Sequence, residues 1–83
     1  RGAKRMFSAD KLKKGCTAVI RELKCSGVLL TRLCDLGAVP GTEIELSGAA
    51  PFGDPLMFRL RGYTLSLAKN DAANILVDYE EAI

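Results

Sequence analysis

The sequence predicts a mainly β domain, a small five-stranded antiparallel barrel with one inserted α-helix. The 83 residues suffice for one domain with a single small core. Five short segments alternate apolar and polar residues or are rich in β-branched residues, and glycine- or proline-containing turns separate them. Closing such a sheet into a barrel removes the exposed strand edges that a small β domain tolerates poorly.

Each predicted strand except the last is followed by a turn, loop or helix signal. Arg61 and Gly62 fit a two-residue hairpin turn, because glycine accepts the positive φ that such turns require. We expect residues 1–83 to form a single domain whose residues 1–10 are a flexible N-terminal segment. The predicted strands cover residues 15–23, 42–48, 56–60, 63–68 and 75–80.

Residues 28–37 change to helical spacing, which predicts the inserted helix. Leu29, Leu33 and Leu36 would lie on one face of this helix. Ser26 is a candidate N-cap, and Gly37 is suited to the left-handed conformation that ends many helices. A single helical turn is expected after Asn70, ahead of the last strand.

The charge distribution raises the question of an anionic partner. Residues 1–24 contain eight Lys or Arg against Asp10 and Glu22, although the net charge of the chain is only +2. Nucleic-acid binding remains an alternative, but the chain has no Trp and its few aromatic residues are scattered, so a stacking platform is missing. We therefore expect no nucleic-acid partner.

The sequence also argues against a membrane span and against catalysis. No apolar run approaches the roughly 20 residues of a spanning helix, so a cytoplasmic location is expected. The chain has no His, the commonest general base, and its Glu43 and Glu45 pair fits a hydrated strand face. We expect no enzymatic activity and no cofactor.

Cys16, Cys25 and Cys34 are spaced nine residues apart. Their odd number and the lack of a Cys-x-x-Cys pair favour reduced thiols over a disulfide framework. As an alternative, the three thiols could bind Fe(II) or Zn(II), which would make the chain a metal-responsive module, although a closed zinc site usually has four ligands.

The loop over residues 50–55 is the strongest candidate for a binding role. Pro51 and Pro55 restrict the backbone on either side of Phe52, which lowers the entropy lost on docking. Phe52 either covers the open end of the barrel or forms a contact surface; the sequence leaves both open. The predicted partner-binding residues are Phe52, Asp54, Met57, Arg59, Arg61 and Arg32.

Three motifs resemble those of the FeoA family, the small cytosolic components of bacterial ferrous iron uptake systems. They are RLCDLGAVPG at 32–41, APFGDP at 50–55 and AANILV at 72–77. The similarity runs from about Leu12 to Tyr79. Ala68 stands where the family often has Arg, so a contact made by that Arg is not expected here.

The resemblance implies an SH3-like barrel and a non-enzymatic accessory role. The implied partner is the cytoplasmic, GTPase-bearing part of the FeoB ferrous iron permease, through which the domain would be peripheral to the membrane. The same domain type occurs at the C-terminus of DtxR-like metal-dependent repressors, which is the setting for the metal-responsive alternative. Self-association through a strand edge or Cys25 stays open.

Overall fold

The computed structural model describes the backbone of residues 2–82 and the side chains of residues 5–79. Two helices, α1 (Gly27–Asp35) and α2 (Lys69–Ala72), accompany the strands. The strands are β1 (Gly2–Ser8), β2 (Thr17–Leu23), β3 (Glu43–Ala49), β4 (Leu56–Leu60), β5 (Tyr63–Leu67) and β6 (Ile75–Ala82). Short 3-10 turns occur at Ala9–Lys11 and Pro51–Gly53.

All strands belong to one antiparallel sheet in the order β1-β6-β2-β3-β4-β5. The mainly β antiparallel architecture is confirmed, but the sheet has six strands rather than five. Within the described residues, β1 and β5 are the two ends of the sheet and do not pair with each other. The expected closure by hydrogen bonds is therefore absent from the described part of the chain.

The additional strand is β1, which lies where a flexible N-terminal segment was expected. It pairs with β6 over its full length, from Gly2 opposite Ala82 to Ser8 opposite Leu76. The sequence did not indicate a strand here, because basic residues close to the start of a sequence are typical of a solvated segment. Pairing with β6 satisfies the backbone groups on the side of β1 that faces β6, and Phe7 packs half-buried against the core.

The buried core side chains follow the alternation predicted for the strands. On β4, Leu56, Phe58 and Leu60 are buried, while Met57 is half-buried and Arg59 is exposed. Burying side chains of this kind stabilises the fold by about 1.5–3 kcal/mol each. The largest fully buried side chains are Phe58, Ile20, Leu33, Leu67, Ile75 and Val77.

Helix α1 covers the core with Leu33 and ends at a left-handed glycine. Gly37 has φ +84°, and its N–H donates to the Cys34 carbonyl at 3.1 Å, while the Ala38 N–H donates to the Leu33 carbonyl at 2.9 Å. These two bonds form a Schellman motif, and Gly37 takes the left-handed conformation that the sequence predicted for it. Ser26 occupies the N-cap position, but its side chain makes no capping hydrogen bond within the described structure.

The β4–β5 turn is the two-residue hairpin that the sequence predicted. Arg61 and Gly62 both have positive φ, 49° and 85°, which is the type I′ geometry. Leu60 and Tyr63 flank the turn as paired residues. Across residues 2–82, neither helix combines the length and apolar character that crossing a membrane requires.

Candidate functional site

Residues 50–55 form a tight loop between β3 and β4. The Ala50 N–H donates to the Pro55 carbonyl at 2.9 Å, which closes the base of the loop. Within it, the Gly53 N–H donates to the Ala50 carbonyl at 2.9 Å. The two backbone bonds and the two prolines restrict the backbone of this loop, so the Cα–Cβ bond of its central residue has a fixed direction.

Phe52 is that central side chain, and it points into solvent. Its relative exposure is 106%, which supports the contact-surface interpretation of this ring and not the role of a cover over the barrel. Its backbone is left-handed, with φ 71° and ψ 8°. That conformation costs a non-glycine residue about 1–2 kcal/mol. Because the ring is exposed, no packing contact within the domain offsets this strain.

Asp54 links the loop to α2. Its Oδ1 accepts a hydrogen bond from the Lys69 N–H at 2.9 Å, across 15 residues of sequence. The contact caps the first turn of α2, where a backbone N–H would otherwise have no partner. The structure thus gives Asp54 a positioning role. Lys69 was not among the predicted site residues, and no local sequence signal indicates this contact.

Met57 and Arg59 lie on the outer face of β4. Met57 is half-buried, and its carbonyl accepts a hydrogen bond from Ser47 Oγ at 3.1 Å. Arg59 is exposed and stands opposite Glu45 on β3 and Thr64 on β5. Opposite charges at directly facing positions stabilise a sheet modestly. Arg59 is therefore accessible to a partner on this face of the sheet.

Arg61 is engaged within the domain. Its Nε donates to the Gly37 carbonyl at 3.2 Å, and its Nη2 donates to Thr42 Oγ1 at 3.4 Å. Thr42 Oγ1 in turn donates to the same Gly37 carbonyl at 3.1 Å. These bonds join the tip of the β4–β5 hairpin to the end of α1. Arg61 therefore fixes the relation between two elements.

Arg32 lies apart from the other predicted residues, on the outer side of α1. It is exposed and lines an open depression with Val28, Thr31, Asp35 and neighbouring residues of the same helix. Val28 is 85% exposed. The six predicted site residues thus occupy the 50–55 loop, the outer sheet face near the hairpin, and α1, and they do not form one compact cluster.

The three cysteines are free and are dispersed over the fold. Cys34 is exposed on α1, Cys25 precedes that helix, and Cys16 precedes β2 with its Sγ 3.8 Å from Tyr79 Oη. Among the side chains of residues 5–79, no group of three or more His, Cys, Asp or Glu lies close enough to hold a metal ion. The arrangement does not fit the cysteine-based metal site considered from the sequence.

These features define a small antiparallel β domain that displays an exposed ring on a strained, hydrogen-bonded loop. The geometry suits recognition of another surface, because aromatic side chains on stiff backbones bind at low entropic cost. A model of the FeoA domain family matches residues 8–79. The chain belongs to the FeoA family.

A curated relative is similar to this chain in sequence. The Fe(2+) transport protein A/Fe(2+) transporter FeoB fusion protein of Porphyromonas gingivalis is 37% identical over 69 residues. The match covers 83% of this chain but only 8% of the fusion protein. The chain therefore corresponds to a small part of that relative.

Solved structures show the same fold. An FeoA-like protein from Clostridium acetobutylicum has a TM-score of 0.81 at 35% identity, covering 90% of this chain and 87% of that protein. The zinc-complexed FeoA of Stenotrophomonas maltophilia has a TM-score of 0.73 at 23% identity, covering 92% and 99%. That protein is described as a prokaryotic SH3 domain protein, in agreement with the predicted SH3-like architecture.

Proposed function

We propose that this domain is a non-enzymatic accessory and regulatory protein of ferrous iron uptake. It acts on the cytoplasmic side of the membrane by binding the GTPase-bearing part of a FeoB-type permease. Binding shifts the populations of the permease's conformational states, which requires that the domain bind one state more tightly than another.

The observation that carries the proposal is the fused relative. In the Porphyromonas gingivalis protein, a FeoA sequence related to this chain and a FeoB transporter share one polypeptide. Covalent linkage gives two binding modules a high effective concentration, so fusion favours partners that act together. The Stenotrophomonas maltophilia FeoA, for its part, is described as a candidate activating factor for ferrous iron transport.

The surface of the domain supports a contact of this kind. Phe52 is fully exposed on a loop whose backbone is already ordered, so docking loses little further entropy. Met57 and Arg59 lie on the strand that follows this loop. Aromatic residues, Met and Arg are enriched at protein interfaces. The proposed contact residues are therefore Phe52, Met57 and Arg59.

The proposal is tested by titrating the 15N-labelled domain with the soluble cytoplasmic part of the permease. We expect chemical-shift changes concentrated in residues 50–61. Phe52→Ala should weaken binding at least tenfold, about 1.4 kcal/mol, because central aromatic residues commonly dominate interface energies. An absence of shift changes with the unmodified domain would contradict the proposal.

Val28→Ala is the matched control for Phe52→Ala. Val28 is also apolar and exposed, but it lies on α1 rather than on the 50–55 loop. We expect its replacement to leave the affinity within twofold of the unmodified value. Equal losses in the two variants would show that general surface hydrophobicity, not the loop, determines binding.

A further inference from the structure

The outer edge of β5 presents backbone groups that have no partner in the described residues. Leu60 and Tyr63 flank a two-residue type I′ turn and therefore form a hydrogen-bonded pair. Because bonded and non-bonded pairs alternate along an antiparallel ladder, Thr64 and Ser66 direct their N–H and C=O groups away from β4. Both residues are exposed. No described strand lies on that side of β5.

This edge also lacks the devices that usually prevent strands from pairing with other chains. Such edges commonly carry charged residues, proline or a β-bulge. The sequence Tyr63–Leu67 contains neither a charged residue nor proline, and its register with β4 is unbroken over five pairs. At the other end of the sheet, the sequence of β1 includes Lys4 and Arg5. Of the two ends, β5 is the unprotected one.

An exposed aromatic residue, Tyr63, begins this edge, and the loop that carries Phe52 is bonded near its other end. The Asp54–Lys69 hydrogen bond holds the loop that carries Phe52 beside the residue two positions after β5. Tyr63, at the first position of β5, is 37% exposed. Four strand steps between Tyr63 and Leu67 correspond to roughly 14 Å. An extended segment of about five residues would match this length.

We propose that the β5 edge binds an extended segment of the permease partner by strand addition, an inference that rests on the function proposed above. Thr64 and Ser66 supply main-chain hydrogen bonds to the added strand. On the core side the added strand lies next to Leu65 and Leu67, which suits apolar side chains. On the opposite side it lies beside Thr64, and Arg59 stands one strand further in, roughly 10 Å from the added strand. The long Arg59 side chain can span much of this distance, which suits an acidic side chain on the added strand.

The occupant is thus a partner segment that alternates apolar with acidic or polar residues. A second copy of this chain fits less well, because its own β5, Tyr63–Leu67, has no acidic residue that could face Arg59. A five-residue edge also buries far less than the roughly 1,200 Å² typical of stable protein complexes. A small contact of this kind suits a reversible regulator better than a stable dimer.

The test compares Ser66→Pro with Ser66→Ala in the full chain, using the soluble cytoplasmic part of the permease as the probe. The Ser66 N–H points away from β4, so proline there leaves the β4–β5 ladder intact and removes only the outward donor. We expect Ser66→Pro to weaken binding at least tenfold and Ser66→Ala to stay within twofold of the unmodified chain. A dispersed NMR spectrum checks that each variant is folded.

Hydrogen exchange on the unmodified chain provides a second readout that needs no variant. Strand addition should slow exchange of the Thr64 and Ser66 amides at least tenfold in the complex. If the permease fragment binds while these amides stay unprotected and Ser66→Pro binds normally, the strand-addition inference is wrong and the proposed function stands. If the unmodified chain does not bind at all, the proposed function fails and the inference fails with it.

Self-association is the remaining outcome. A dimer of the unmodified chain in sedimentation experiments that Ser66→Pro abolishes, without any change in affinity for the permease fragment, would show that a second copy occupies the edge. That result would overturn the proposed occupant.

Discussion

At the scale of single residues, the contact between Arg61 and Gly37 explains two features of the sequence together. The Arg61 side chain lies so close to Gly37 that a Cβ atom on this residue would be 2.8 Å from Arg61 Cδ and 2.9 Å from Arg61 Nε. Gly37 also has φ +84°, which favours glycine independently of space. The glycine therefore both ends α1 and admits the arginine that joins the helix to the hairpin.

Gly37→Ala should destabilise the domain more than Gly41→Ala. Both glycines have positive φ, but a Cβ atom at Gly41 meets no described atom within 4 Å. We expect a loss of about 1 kcal/mol at Gly41 from backbone strain, and about 1.5–2 kcal/mol at Gly37, where the end of the Arg61 side chain must also move and its hydrogen bond to the Gly37 carbonyl is lost. Urea denaturation of both variants measures the difference. Equal losses would show that the Arg61 contact adds nothing to stability.

Replacing Phe52 with Asn should stabilise the free domain. Asn adopts left-handed backbone more readily than Phe, and the exposed ring contributes no burial that would be lost. We expect a gain of about 0.5–1 kcal/mol, and a rise in melting temperature of several degrees for a chain of this size. Calorimetry measures the gain. A lower melting temperature would mean that the ring packs within the domain in solution.

The same variant is expected to bind the permease fragment more weakly, since it lacks the ring. Stability and binding would then change in opposite directions at one position. Such opposition is typical of residues kept for function rather than for folding. A variant that was more stable and bound normally would remove Phe52 from the contact surface.

At this scale the sequence singles out residues but does not reveal the contacts they make. The exposure of Phe52 was one of two alternatives, because a ring between two prolines can turn inward or outward. Arg61 was predicted to be a contact residue, but its bonds to Gly37 lie 24 residues away in sequence. Contacts of this range depend on how elements pack, and no spacing rule within a single strand reveals them.

At the scale of elements, the 50–55 loop and α2 depend on each other through the Asp54–Lys69 hydrogen bond. The sequence predicted the helical turn from Asn70, but the turn begins at Lys69, and its first N–H is capped by the distant Asp54. By contrast, α1 and the β4–β5 hairpin were predicted well. Their signals, a leucine periodicity and a two-residue turn ending in Gly62, are local.

Asp54→Ala should loosen this link, whereas Asp54→Asn should largely keep it. An exposed cap of this kind contributes about 0.5–1 kcal/mol, and the Asn side chain still offers an oxygen acceptor. We expect faster hydrogen exchange of the Lys69 amide in Asp54→Ala than in Asp54→Asn. The same exchange rate in the unmodified chain and in Asp54→Ala would show that the cap does not form in solution.

At the scale of the whole molecule, β1 lies at the outer margin of the fold. The buried apolar core lies within residues 9–77, and the family match begins at Ser8. The sequence did not predict this strand, because β1 is stabilised by pairing with β6, which lies at the opposite end of the chain. The basic residues of Gly2–Ser8 and their position near the start of the sequence give no indication of that pairing.

A chain that begins at Ser8 should fold, but with lower stability. It keeps the buried core and β2–β6, while it loses the β1–β6 pairing and the half-buried Phe7. We expect a cooperative transition with a free energy of unfolding lower by about 1–3 kcal/mol. Far-ultraviolet circular dichroism during thermal unfolding measures this change. Loss of the folded baseline would show that β1 is essential to the fold.

The hydrogen bonds that fix the Phe52 loop have a consequence for the kinetics of complex formation. A loop already ordered in the free domain does not need to rearrange after the two proteins meet. In stopped-flow experiments the observed rate constant should then rise in proportion to partner concentration without reaching a plateau. If the domain regulates a permease as proposed, the lifetime of the complex, rather than its speed of formation, determines how long each regulatory contact lasts.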